Sequence, residues 1–370
     1  MTTTGVPSAT PAAVTGLPEL AQARKTHPIT VWAILGVVFL AIEGYALAAW
    51  FISGDAHRTP AGTTPIPEWM KVAMMAFQIV GVIGFVGFLT YFVIRPLRRE
   101  HRLTQDSLFC LVFWTLFWHD TLTNYLVHYT TYNAGFFNLG SWDRHILGWS
   151  SPHGNLVIEP TIFVCTAYMW VVFGGVLLGN VVMRRARQRW PQISALQLVL
   201  VTFAFFALFD LIVEGSFMRL GFWTYAGAIR SVTLFAGHYY QFPLYEPLLF
   251  GATWTGFACL RFFRNDKGES AVERGSHELR VHAKTRTVLR FLALAGAANV
   301  IFIATYDVPI NLIAIHGDAW PADITSRSYL TDGLCGSGTT YACPAPSIPF
   351  PHGDSDHVAP NQTLVLEGGR

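Results

Sequence analysis

Long apolar stretches, broken at intervals by polar and basic loops, set the pattern of this chain. Seven of them approach the roughly 20 residues needed to cross a hydrocarbon core. They predict helices over residues 29–52, 70–94, 104–126, 158–183, 194–217, 244–263 and 288–307. The fifth is the least uniform, because it carries two acids. The expected fold is all-α, a polytopic membrane bundle of about seven transmembrane helices. Residues 1–28 are rich in Thr, Ala, Pro and Gly and read as a disordered cytoplasmic tail. Residues 29–316 form the helical domain, and residues 317–370, rich in Pro, Gly, Ser and Asp, form an irregular extracytoplasmic tail. The first apolar run is long and starts late, which does not fit a cleavable signal peptide.

Composition supports the membrane reading, since only 13% of residues are charged against about a quarter in soluble domains. Basic residues orient the bundle. Of the 25 Lys and Arg, 18 fall in one set of segments: Arg24 and Lys25, Arg95 to Arg102, Arg184 to Arg189, and Arg261 to Arg290. The expected topology is therefore a multi-pass protein of the cell membrane, with a cytoplasmic N-terminus and an extracytoplasmic C-terminus. The net charge of +2 is accounted for by this topology and indicates no nucleic-acid partner. Cys335 and Cys343 lie in the outer tail, where a local disulfide is allowed. Cys110, Cys165 and Cys259 fall inside helices as apolar filler.

Against this background the acids stand out. Glu43, Asp120, Glu159, Asp210, Glu214, Glu246 and Asp307 sit in or against apolar runs, and the helix directions place all seven toward the outer face. Carboxyl groups at such depth mark function more often than not, and seven at one level predict a single acidic chamber. Wet helix ends account for Glu159, Glu246 and Asp307, but not for acids with apolar turns beyond them. Asp210 and Glu214 are i and i+4 and share a helix face. Two carboxyls that close repel, and one is expected to carry the proton of a general acid. Asp120, Asn124 and His128 fall on one predicted stripe. His119 points about 100° away from Asp120 and reads as a packed histidine. Glu159-Pro160 and Glu246-Pro247 are primarily helix-start signals. Tyr240 belongs to an aromatic run before the sixth helix, which reads with residues 129–142 and 221–226 as a lid.

The chain has no Walker loop, dinucleotide fingerprint or nucleophile elbow. Its 13 histidines show no HxxxH, HxxH or HExxH spacing, so no metal and no cofactor are expected. Acids and aromatic rings around an apolar chamber suit acid chemistry on a lipophilic small molecule, with ring faces stabilising a cation. The partners implied are that substrate and membrane lipid. A proton-coupled carrier or channel for a small solute is the second reading. The acids lie in one layer rather than strung across the bilayer, and no inverted repeat is evident.

Several phrases, in order, resemble the AveC-like spirocyclase family. They are Tyr132-Asn-Ala134, Phe137-Asn-Leu-Gly-Ser-Trp142, Glu159-Pro160, Met183-Arg-Arg-Ala-Arg187, Phe209-Asp-Leu-Ile-Val-Glu-Gly215 and the run from Arg261 to Ser270. The resemblance covers roughly residues 30–310. It implies a cofactor-independent spiroketal cyclase and dehydratase of avermectin-type polyketide biosynthesis, closing a dihydroxy ketone with defined stereochemistry. It also implies functional positions at Tyr132, Asn133, Trp142, Glu159, Asp210 and Glu214. The candidate catalytic residues are thus Asp210, Glu214, Asp120 and Glu159. The candidate substrate-binding residues are Tyr132, Asn133, Trp142, Asn124, His128, Glu246 and Tyr240.

Overall fold

A computed structural model describes residues 27–331, 333–336, 338–345, 348 and 355–366. The expected N-terminal tail lies outside the described residues apart from its last two positions. The protein is mostly helical. Its long helices are α1 (Pro28–Ser53), α2 (Glu68–Glu100), α3 (Gln105–Trp114), α4 (Thr161–Arg189), α5 (Ala195–Arg219), α6 (Glu246–Phe262) and α7 (Ala283–Ala314). Five of them, α1, α2, α4, α5 and α7, are long and apolar enough to cross a membrane. The other two are shorter: α3 has 10 α-helical residues and α6 has 17.

Local chemistry explains the starts. Thr104 and Ser107 form a reciprocal cap at α3, and Ser194 with Gln197 does the same at α5. Pro160 precedes α4, and Pro247 sits in the first turn of α6, as the two Glu-Pro phrases predict. The seventh helix starts at Ala283 rather than at the expected 288.

The helices are not uniformly α. After α3 the chain continues as a 3-10 helix over Thr115–Asn124. Three π turns interrupt the long helices, at Leu89–Ile94, Tyr168–Val172 and Ile303–Asp307. Runs of 3-10 helix beyond three or four residues are uncommon, and π-bulges gather at functional sites.

Packing is tightest between α1 and α7. A Cβ on Gly36 would overlap the backbone carbonyl of Leu292, and one on Gly296 would overlap that of Trp32. Small residues permit such backbone approach between apolar helices. At the end holding the 263–282 loop, Arg261 pairs with Asp106 at 2.8 Å, and Arg290 with the fully buried Glu273 at 2.8 Å.

Among the described residues, three two-residue ribbons refine the all-α expectation. Thr131–Tyr132 (β1) pairs with Trp223–Thr224 (β2), and Thr233–Leu234 (β3) with Phe242–Pro243 (β4). His357–Val358 (β5) pairs with Leu364–Val365 (β6). Residues 317–331, expected to be irregular, include a short helix α8 (Ala322–Thr325) and bind the loops of this end. Asp323 accepts from the Tyr239 amide at 2.9 Å, and the Ala134 amide donates to the Tyr329 carbonyl at 3.0 Å. The Ser328 hydroxyl donates to the Ala61 carbonyl at 2.8 Å. Cys335 and Cys343 are joined in a disulfide.

Candidate active site

A cavity of about 140 Å³ opens among the 3-10 segment, α4, α5, α6 and α7, beneath the β1–β2 ribbon. Four acids line it: Asp120, Asp210, Glu214 and Glu246. The rest of the lining is largely aromatic, and among the described residues no Lys, Arg or His belongs to it.

Three of the four acids, Asp120, Glu214 and Glu246, are held by aromatic donors. Tyr132 donates to Asp120 Oδ2 at 2.7 Å, and Tyr168 donates to Oδ1 at 3.0 Å. The Trp223 indole donates to Glu214 Oε1 at 3.1 Å, and the Tyr225 hydroxyl donates to the same oxygen. Tyr306 donates to Glu246 Oε1 at 2.7 Å. In the ribbon Tyr132 pairs with Trp223, so one two-residue ladder holds donors for acids on two walls. Asp210 is in hydrogen-bonding contact with Glu214. Asp210 Oδ2 and Glu246 Oε2 are buried and have no partner.

The irregular helical turns carry this arrangement. Asp120 rides on the 3-10 segment, Tyr168 on the second π turn, and Tyr306 on the third. With three residues per turn, positions i and i+3 share a face. Asp120 is therefore accompanied in the cavity by Thr123 and not by Asn124. The α-helical stripe expected for Asp120, Asn124 and His128 fails for this reason. Asn124 instead ties the following loop, accepting from the amides of Tyr129 at 2.8 Å and Thr130 at 2.9 Å.

A polar seam on α7 fixes the 3-10 segment. His119 Nδ1 meets Asp307 Oδ2 at 2.6 Å, and His119 Nε2 meets Asn299 Oδ1 at 2.9 Å. Trp118 Nε1 donates to the same Asn299 oxygen at 3.1 Å, and Asn299 Nδ2 donates to the Ala295 carbonyl. That oxygen is therefore an acceptor, and His119 Nε2 carries a hydrogen. Phe302 stacks on the imidazole at 4.5 Å between centroids. His119 is packed, as expected, and also paired across the bundle, which its spacing from Asp120 did not reveal.

The chamber of seven acids thus resolves into four that line the cavity and three that do not. Asp307 is engaged by His119. Glu159 is buried behind Asp120, within hydrogen-bonding reach of Asp120 and Thr121. Glu43 is buried on α1 outside the lining. Asp143, which the sequence reading passed over, is fully buried near this group and accepts from the hydroxyls of Thr121 and Ser141. Burial pushes its carboxyl well up from the ordinary range.

Several expected substrate-binding residues have other work. Asn133 donates to the Gly221 carbonyl at 2.9 Å and accepts from the Gly135 amide, pinning the ribbon. Trp142 is buried against Trp50 and Phe117, with its N–H on the Trp118 carbonyl. Tyr240 lies outside the cavity, stacked on Arg219 and His238. His128 faces Ser151 at 3.1 Å. Burial, with His153 nearby, pushes its ring down to about 3. A buried neutral histidine favours folding above the unfolded value near 6.5 and costs stability as pH falls below it. Going from pH 8 to pH 5 should cost roughly 2 kcal/mol through this residue. Thermal unfolding of His128→Gln should accordingly depend less on pH than that of the wild type, and equal slopes would refute the assignment.

Residues that the sequence reading missed are Tyr168, Tyr306 and Trp254, all hidden in apolar helical runs. Trp223 and Tyr225 were legible only as parts of a lid. Trp254 forms part of the lining, with its benzo edge on Gly175, where a Cβ would overlap the ring.

A family model described as Spirocyclase AveC-like matches residues 100–330. The chain belongs to the AveC-like spirocyclase family. Neither a curated protein nor a solved structure matches it. The span covered by the AveC-like spirocyclase match takes in all four cavity acids and every donor that holds them, including Tyr306. It starts later than the phrases first suggested and runs on through residues 317–330, which bind the loops beside the ribbon.

Proposed function

We propose that this member is a membrane-embedded, cofactor-independent cyclase that closes a lipophilic dihydroxy ketone to a spiroketal by acid catalysis. The observation that carries the reading is the Asp210–Glu214 contact in a cavity without a basic side chain. A carboxyl–carboxyl hydrogen bond needs a proton between the two oxygens. Glu214 Oε1 already accepts from Trp223 and Tyr225, so Glu214 is the natural acceptor and Asp210 the proton holder. One substrate hydroxyl adds to the ketone to give a hemiketal. Asp210 then protonates the hemiketal hydroxyl, its C–O bond breaks, and water leaves. The oxocarbenium ion formed faces ring surfaces and the carboxylates of Glu214 and Asp120. The second hydroxyl attacks it, and its proton passes to a carboxylate, which leaves the overall proton count unchanged. Loss of a neighbouring C–H proton instead gives the dehydrated product.

The test uses purified protein in detergent with a synthetic dihydroxy ketone. Mass spectrometry and chiral chromatography should show one spiroketal stereoisomer formed faster than in buffer. Proton-dependent solute flux in vesicles without any product would favour the carrier reading.

The same proposal sets the protein in the membrane through seven spans. The five long helices supply most of them. The α3 and 3-10 segments together rise about 35 Å, and α6 about 25 Å, against a core of about 30 Å. Basic asymmetry supports an inside N-terminus. Cysteine placed at the exposed Lys267 should label only from the cytoplasmic side, and at the exposed Leu147 only from outside. The reverse pattern would overturn the orientation.

A further inference from the structure

Ten of the twenty residues lining the cavity are Phe, Tyr or Trp, four are acids and none is basic. His119, on the 3-10 segment, cannot balance the charge of those acids, because its ring is already held by Asp307 and Asn299. The aromatic N–H and O–H groups that reach the acids bond to Asp120, Glu214 and Glu246. Those bonds orient the carboxyls and fix the four tyrosine rings and that of Trp223 as walls. Asp210 Oδ2 and Glu246 Oε2, on two residues of the lining, are buried oxygens without a hydrogen bond, and both residues are more than nine-tenths buried. Ring faces attract a cation through their quadrupole, most strongly where water is excluded. Carboxylates in a low-dielectric pocket add to that attraction.

We infer that this cavity is a binding site for a small lipophilic cation, and that a compact cyclic ammonium ion occupies it in preference to a neutral molecule of the same shape. This deepens the cyclase reading on which it rests: such an ion mimics the oxocarbenium intermediate, and complementarity to the transition state is what an acid cyclase needs. The ligand class follows from the lining itself, from acids on several walls with ring surfaces between them.

The probe is N,N-dimethylpiperidinium, with 1,1-dimethylcyclohexane as its uncharged isostere. Equilibrium dialysis of the full-length protein in detergent, against a chamber of detergent alone, removes partitioning into micelles. The cation should bind about tenfold more tightly or better than the neutral ring. Asp120→Asn and Glu214→Gln should each weaken the cation several-fold and leave the neutral ring nearly unchanged. Equal affinity for the two probes in the wild type would overturn the inference, and this comparison needs no variant to fold. Cation binding that is unchanged in both variants would also overturn it, by placing the ion elsewhere. If the cation binds as expected but no dihydroxy ketone is ever closed, the cyclase reading fails and the cation site stands. If closure occurs without cation preference, the reverse holds.

Discussion

Asp210→Asn should lower spiroketal formation by about 10²–10⁴-fold, the usual contribution of a general acid, while the protein stays folded. The substitution keeps the shape of the side chain and removes its proton. Glu214→Gln should also be severe, for a different reason. Its carbonyl oxygen can still accept from Trp223 and Tyr225, but its amide then donates toward Asp210, which becomes an acceptor and loses its role as acid. The two losses should not add, because both disable one proton. Spiroketals close slowly unaided, so a mixture of stereoisomers should appear as the catalysed route fades. Chiral chromatography of product from both variants is the check. Wild-type rate and stereochemistry in both would rule out the pair and leave Asp120 with Glu159 as the acid site.

Gly296→Ala should destabilise the fold by about 1–3 kcal/mol, the usual cost of overpacking. Its methyl group would meet the backbone carbonyl of Trp32, which cannot rotate away, so α1 and α7 must separate. Gly36→Ala strains the same crossing against Leu292, and the two effects should be non-additive. Gly44 is the control: it lies on the same helix with open space at its Cβ position, and Gly44→Ala should be nearly neutral. Thermal unfolding followed through the thiol of buried Cys110 reports all three. Activity should fall with stability at Gly296, because α7 also carries Asn299, Tyr306 and Asp307. A Gly296→Ala protein as stable as the Gly44→Ala protein would contradict the close crossing.

Much of the helical framework was legible because apolar length and basic loops are one-dimensional signals. The Asp210–Glu214 pair was legible for the same reason, since i and i+4 on an unbroken α-helix leave little choice. Asp120 is legible from its place in an apolar run, but its companions are not. Asn124 and His128 follow α-helical spacing, and the chain there winds with three residues per turn. No residue type marks that change. It is held in place by Asn299, Asp307 and Asn311 on a helix far away in sequence, with the Asn311 side chain bonded at 2.7 Å to the Leu122 carbonyl. Tyr168 and Tyr306 were hidden because a tyrosine in an apolar helix usually packs, and only the π turns bring them to the acids. The Tyr132–Trp223 register depends on a ribbon joining segments about ninety residues apart, which pattern alone does not reveal. Trp142 and Tyr240 sit in aromatic phrases next to the ribbon's sequence neighbours. One fills the core and the other covers Arg219.

The most direct measurement follows the ketone oxygen. Purified wild type would be given a dihydroxy ketone labelled with oxygen-18 at the carbonyl, and both product and released water would be analysed. Acid-catalysed closure should give a single spiroketal stereoisomer free of label, the label in water, and loss of this reaction in Asp210→Asn. A product that keeps the label, or a stereoisomer mixture formed at the same rate with and without the protein, would contradict it.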